Sequence, residues 1–280
     1  MLLKKLDFVK YCIIGNAVQN IKYTNIAQDI ANLVNDNYLI PSHTINAACI
    51  SSLLSTTTAY DMIKSRHYDA IIAGGFEFMT DMPIRISKNM RRAIVDVTDK
   101  VSFQRYLIKI LSEFPWFSKY EIPKFEDFST GRSMVNECEL MCRIIGITRQ
   151  HADEYTAISH TRAAFSRDHN LDSDKVPLRI DHHKIISNDN TIQERNIHKL
   201  TALRPASSLT NGGGSSTFWH KNPVEGIVTA GNSTDLTDGA AISLLSSEQI
   251  AIEKGFRPKA YIRGYITTSH QPKQHFLLRF

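Results

Sequence analysis

Residues Ala70-Ile71-Ile72-Ala73 form an unbroken apolar run that closes on paired glycines, Gly74-Gly75. Runs of this kind belong to strands covered on both faces by helices. A second such run, Tyr11-Cys12-Ile13-Ile14, closes on Gly15 and predicts another buried strand. Between them, Ile26, Ile30, Leu33 and Val34 recur at helical spacing after a cap at Thr24 or Asn25. Pro41 then breaks the chain, and a second helix is predicted from Ser51 to about Ser65. The order strand, helix, strand, helix, strand argues an α/β fold, a layered mixed sheet between helices. At 280 residues, 42% hydrophobic and 22% charged, the chain has material for one large or two modest domains. The glycine pair is expected to make a tight turn, because neither the dinucleotide fingerprint nor the P-loop pattern is completed around it.

Cys49 falls at the entrance of the second helix, after the small residues Ala47 and Ala48. A thiol at a helix start faces unpaired N–H groups and the positive end of the macrodipole, a setting that favours the nucleophilic thiolate. Position alone leaves two readings open: an inert buried cysteine or a covalent catalyst. The four cysteines, Cys12, Cys49, Cys138 and Cys142, are too sparse for a disulfide framework and suit a reducing compartment.

The remaining chain carries weaker signals. A net charge of +5 is compatible with anionic ligands such as a nucleotide phosphate and too weak to argue nucleic-acid binding. No run of about 18 apolar residues is present to span a membrane. Leu2–Val9 reads as a short amphipathic helix end, with neither a secretory h-region nor an Arg- and Ser-rich transit segment, so any organelle address is expected to have been lost or never to have been present. Lys88, Arg91 and Arg92 read as a solvated basic face, and Phe114-Pro115-Trp116-Phe117 as a buried aromatic stretch. Residues 84–205 are long enough to be a loop subdomain rather than a connection. Within them a helix is predicted from Ser133 to Ile145, ended by Gly146, and another from Thr148 or Arg149 toward Asn170. Cys138 and Cys142 share a face of the first and read as two buried helix cysteines; a metal site would need further ligands such as His151 or His160. Asp181-His182-His183-Lys184 reads as an exposed strand end, not a zinc site, and no metal centre is expected. Asn211–Thr217 is a flexible, glycine-rich insertion. A strand is predicted to end at Gly231-Asn232, another to run from Ala240 to Leu245, then a helix Ser247–Gly255 and a last strand led by Pro258–Gly264.

Asn46-Ala47-Ala48-Cys49-Ile50-Ser51, Asp69–Arg85 with its Ala-Gly-Gly-Phe-Glu-Phe-Met-Thr-Asp-Met-Pro core, and Val228–Ala241 together resemble the thiolase family. Ile50 stands where the common motif has Gly and resembles the branch formed by the β subunits of mitochondrial trifunctional enzymes, 3-ketoacyl-CoA thiolases. Arg149-Gln150-His151-Ala152-Asp153-Glu154-Tyr155 and Ser159-His160 resemble a helix of the same family, and Val135 departs from its usual Gly. The resemblance spans nearly the whole of residues 1–280, as a partial N-terminal domain of a family built from two similar halves; the second half, with its Gly-His-Pro histidine and second cysteine, is not in this sequence. It implies that Cys49 takes the acyl group as a thioester, that Met134 lines the acyl pocket, and that Arg204 lies near the CoA nucleotide. Ala230 and Thr234 would lie along the pantetheine, and residues 84–205 would cover the acyl and CoA site. It implies acetyl-CoA C-acyltransferase chemistry of mitochondrial fatty-acid β-oxidation, weak or lost in a half-length chain. CoA would be the co-substrate, with no permanently bound cofactor. The implied partners are a second copy or a trifunctional α-type subunit, with no nucleic acid. The alternative is a non-catalytic thiolase-like subunit that binds CoA or a partner chain.

Overall fold

A computed structural model describes residues 7–34, 40–88, 91–92, 120–121, 126, 129–180, 184–193, 196–206 and 226–269. The aromatic stretch 114–117, the insertion 211–217 and residues 181–183 lie outside them. The chain divides into two compact units: Met1–Lys124 with Leu236–Ile266, and Phe125–Asp235 with Thr267–Phe280.

The first unit is built on a four-stranded mixed sheet. Strand β1 (Tyr11–Gly15) runs parallel to both β2 (Ser42–Ile45) and β3 (Ala70–Glu77), and β8 (Gly239–Ser246) pairs antiparallel with β3, in the order β2-β1-β3-β8. Alternation along β1 sends side chains to two helical layers. Cys12 and Ile14 pack with Ala27, Ala31 and Ile40 on the side of helix α1 (Ile26–Val34). Ile13 packs with Ala59, Ile71 and Ala73 on the side of helix α2 (Ser51–Lys64). The predicted layered α/β sheet is therefore present. The start of α1 is capped from β2: Ala27 N–H donates to Thr44 Oγ1 (3.1 Å), whose hydroxyl donates to Asn25 Oδ1 (2.9 Å).

The glycine pair does not turn. Gly74 and Gly75 sit inside β3, in register with Ile242 and Ala241 of β8. Their small size serves close packing: a Cβ on Gly74 would meet Ala241 O at 2.1 Å, and one on Gly75 would meet Ser52 Cβ at 2.5 Å. After β8, Ser247 caps helix α6 (Glu248–Glu253), accepting from Ile250 N–H, and Gly255 at φ +67° ends the turn. Residues 258–264 form no strand, contrary to expectation; among the described residues this segment has no ladder partner. Tyr265 beyond it is tied to α2 through its hydroxyl to the Asp61 carboxylate and edge-on against Tyr60. Arg91 is not merely solvated: it forms a 2.7 Å ion pair with Glu121, whose strand β5 (Tyr120–Glu121) pairs with β4 (Arg85–Ile86).

The second unit is helical. Helix α3 (Met134–Ile145) is capped by Ser133, which accepts from Asn136 N–H, and ends on left-handed Gly146. Helix α4 (Arg149–Asp168) opens on a reciprocal box: Thr148 Oγ1 accepts from His151 N–H, and His151 Nδ1 accepts from Thr148 N–H. A short exposed hairpin, β6 (Leu178–Arg179) with β7 (Ile185–Ile186), and helix α5 (Ile197–Thr201) follow. The strand predicted to end at Gly231-Asn232 is reduced to one bridge, Pro205 with Thr229. No described helix is long and apolar enough to cross a membrane.

Candidate active site

Cys49 sits on a wound turn between β2 and α2. Asn46 Oδ1 accepts from Ala48 N–H (3.0 Å), and Ser51 Oγ accepts from Ala47 N–H (2.9 Å) while donating to Ala48 O (2.5 Å). These bonds hold Ala48 at φ +49°, a left-handed conformation uncommon for a residue with a Cβ. The first turn of α2 then lies directly on the ends of β1 and β3, where Gly15 and Gly75 leave room for it. Ser55, fully buried one turn along, lies 2.7 Å from both Gly74 O and Ser52 O and ties helix to strand. Cys49 is thus exposed at the end of a helix whose position the sheet fixes.

Asn46 also faces the neighbouring wall. Its Nδ2 donates to Ala17 O (2.8 Å), and Glu77 from the end of β3 accepts from Ala17 N–H, Val18 N–H and Asn16 Nδ2 at 2.9–3.0 Å. The 16–18 turn held this way borders an open cleft of about 480 Å³, shared with Asn46, Pro83, Arg85 and Glu121. Thr80 donates through its N–H and hydroxyl to Asp238, pinning the segment after β3 to the start of β8 and holding the Asp238 carboxyl below its ordinary range.

The other cysteines are placed differently. Burial pushes the Cys12 thiol up to about 11, and burial with the adjoining Cys138 thiol pushes Cys142 to about 11. The expectation of two buried helix cysteines fails: Cys138 is exposed and Cys142 partly so, because that face of α3 is turned to solvent. No group of three metal-ligating side chains occurs among the described residues.

Met134, Arg204, Ala230 and Thr234 all belong to the second unit, and Cys49 to the first. Met134 is the first residue of α3 and partly exposed. The Pro205–Thr229 bridge and the 2.8 Å bond from Ala206 N–H to Val228 O set Arg204 beside Ala230. Both are exposed, as is Thr234.

Sequence reasoning missed what holds that loop. Glu139 of α3, fully buried, accepts from Ile227 N–H (2.9 Å) and Val228 N–H (3.0 Å) and pairs with Arg143 at 2.9 Å. Asp153 of α4, equally buried, accepts from Asn232 Nδ2 (3.0 Å) and pairs with Arg149 at 2.7 Å. Arg149 reaches on to Leu200 O (2.5 Å) and Leu203 O (3.2 Å). Asn232 closes the loop on itself, accepting from Thr229 N–H and donating to Ile227 O. The i,i+4 spacing of both acid–base pairs was visible, but such pairs ordinarily lie on solvated faces.

Residues 5–249 match the thiolase N-terminal domain. The mitochondrial trifunctional enzyme subunit beta of Bos taurus is 34% identical over 97% of this chain and 54% of its own length. A probable 3-ketoacyl-CoA thiolase of Caenorhabditis elegans is 34% identical over 98% of this chain and 58% of its own length. A 3-ketoacyl-CoA thiolase of Escherichia coli is 30% identical, over 97% and 60%. The chain thus spans little more than half the length of these relatives. The crystal structure of a Bacillus anthracis acetyl-CoA acetyltransferase shares the fold, with a TM-score of 0.71 at 24% identity over 95% of this chain and 61% of that one. The mixed sheet, the cysteine turn at the head of α2 and these matches agree, and the chain belongs to the thiolase family through its N-terminal domain.

Proposed function

We propose that this chain supplies the acyl-accepting cysteine and part of the CoA-binding surface of a 3-ketoacyl-CoA thiolase. One observation carries the reading: in a thiolase-family chain, the motif cysteine, Cys49, is exposed on a turn clamped at the head of α2. In the proposed reaction the Cys49 thiolate attacks the 3-keto carbonyl of the substrate. The bond between carbons 2 and 3 breaks, and its electron pair leaves with acetyl-CoA, which takes up a proton. The acyl group stays on Cys49 as a thioester until the thiol of a second CoA attacks it, releasing acyl-CoA and the free thiol. Arg204 beside Ala230 is read as the place of the CoA nucleotide and pantetheine, with Thr234 along the pantetheine, Met134 at the acyl chain, and residues 84–205 as their cover. CoA enters as substrate, and no permanent cofactor is invoked. The cattle, mouse and human relatives are named mitochondrial beta subunits, which supports that organelle and assembly with an α-type subunit; a role in fatty-acid β-oxidation and pairing with a second copy belong to the proposal.

The test is thiolysis of acetoacetyl-CoA and of a long-chain 3-ketoacyl-CoA by the purified chain beside Cys49→Ser, with mass spectrometry of both proteins. Turnover, or an acyl adduct on Cys49, that disappears in Cys49→Ser supports the reading. A folded chain that binds CoA yet neither turns over nor acquires an adduct is the non-catalytic subunit instead.

A further inference from the structure

We propose that Glu139, Arg149 and Asp153 are positioning residues for the CoA-binding loop, setting Arg204, Ala230 and Thr234 from behind without touching the ligand. The inference rests on the reading that this loop holds CoA. Among the described residues, segment 226–233 has no ladder beyond the Thr229–Pro205 bridge, yet Ile227, Val228 and Thr229 are buried. A buried irregular segment must have its backbone polar groups satisfied one by one. Two amides go to the Glu139 carboxylate, the next to Asn232 Oδ1, and the carbonyls of Ile227, Val228 and Thr229 to Asn232 Nδ2, Ala206 N–H and Ser233 Oγ.

The charges behind the loop are fully occluded, which is costly unless each is paired and hydrogen-bonded. Both acids meet that condition, each with an arginine one turn away and with donors from the loop. Apolar residues would serve stability as well. What the carboxylates add is direction: Glu139 fixes the two amides before Thr229, and Asp153 fixes Asn232, so Ala230 lies on a span held at both ends. Arg149 uses the other prongs of its fork on Leu200 O and Leu203 O, and so fixes the residues just before Arg204 by the same group that holds Asp153. One network therefore sets both strands of the Arg204–Ala230 pair.

The experiment compares wild type, Glu139→Gln and Asn232→Ala in the full 280-residue chain, by amide hydrogen exchange and by calorimetric titration with CoA. Glutamine keeps the size of Glu139 but loses the charge that grips two amides, and alanine at 232 removes the loop's own link to Asp153. The expected result is exchange about ten- to a hundredfold faster at Ile227, Val228 and Thr229, with amides inside α4 unchanged, and CoA dissociation constants raised about tenfold or more. Unchanged exchange at those amides overturns the positioning role, as does faster exchange with unaltered CoA affinity. Wild type that does not bind CoA overturns the reading of the loop, and the role falls with it. Should Glu139→Gln fail to fold, Glu139→Asp, which keeps the charge and withdraws it from the two amides, decides for Glu139, while Asn232→Ala tests the link to Asp153 and leaves both acid–arginine pairs intact.

Discussion

Replacing Gly15 by alanine puts a methyl group where α2 begins. Its Cβ would lie 2.3 Å from Ser51 C and 2.4 Å from both Ser51 O and Ser52 N. All three are backbone atoms, so no side chain can swing away. To reach an ordinary contact of 3.4 Å, the first turn of α2 must part from β1 by about 1 Å. Overpacking of this kind costs roughly 1–3 kcal/mol. The gain from a stiffer unfolded chain, at most about 1 kcal/mol, offsets part of it. A net loss of about 1–2 kcal/mol would lower the melting temperature by roughly 2–8 °C for a chain of this size. The same shift carries Cys49, because Ser51 Oγ is bonded to Ala47 and Ala48 in the cysteine turn. Gly15→Ala should therefore change the rate at which iodoacetamide labels Cys49. Gly74→Ala is the control: its Cβ strikes Ala241 O in β8 at 2.1 Å, so it costs comparable stability without touching the α2 entrance. Urea unfolding followed by circular dichroism, with peptide-resolved labelling, measures both quantities. Gly15→Ala with wild-type stability and a wild-type Cys49 rate would refute this packing of helix on sheet.

Other outcomes follow from the same contacts. Ile13→Ala, at a fully buried site facing α2, should cost about 2–5 kcal/mol in the same denaturant titration. Iodoacetamide at about pH 8 should label Cys49 and Cys138 well before Cys12, whose buried thiol is pushed up to about 11; mass spectrometry of timed samples would contradict this if Cys12 reacted first. Thr80 holds the Asp238 carboxyl below its ordinary range, so the unfolded chain binds the proton more readily. That stability is present above the unfolded value of about 3.9 and is lost as pH falls through the lower folded value. Thr80→Val should flatten this part of the acid limb, and identical limbs in the two proteins would show that the pair contributes nothing to it.

Much of the first unit was legible because its signals are local. Apolar runs at residues 11–14 and 70–73 marked strands buried on both faces, helical spacing at 26, 30 and 33 marked α1, and Gly255 marked a helix end by the conformation it adopts. The Gly74-Gly75 misreading shows the limit of that reasoning. A glycine pair at the end of an apolar run looks like a turn, and only the neighbours, Ala241 on one side and Ser52 on the other, reveal that the missing Cβ atoms make room inside the sheet. Those neighbours lie 167 and 23 positions away in the chain.

The same distance in sequence hid the second unit's network, and there the error runs in the opposite direction. Glu139 with Arg143 and Asp153 with Arg149 carry the spacing of solvated helix pairs, each worth only a few tenths of a kcal/mol. Burial changes their meaning: a carboxylate shut away from water needs donors, and the nearest unpaired ones are the amides and amide side chain of a loop almost 90 residues further on from Glu139. A charge pattern thus says which helix face can be wet. It says nothing of a face that a distant irregular segment comes to cover, and it is there that the acids holding that segment are found.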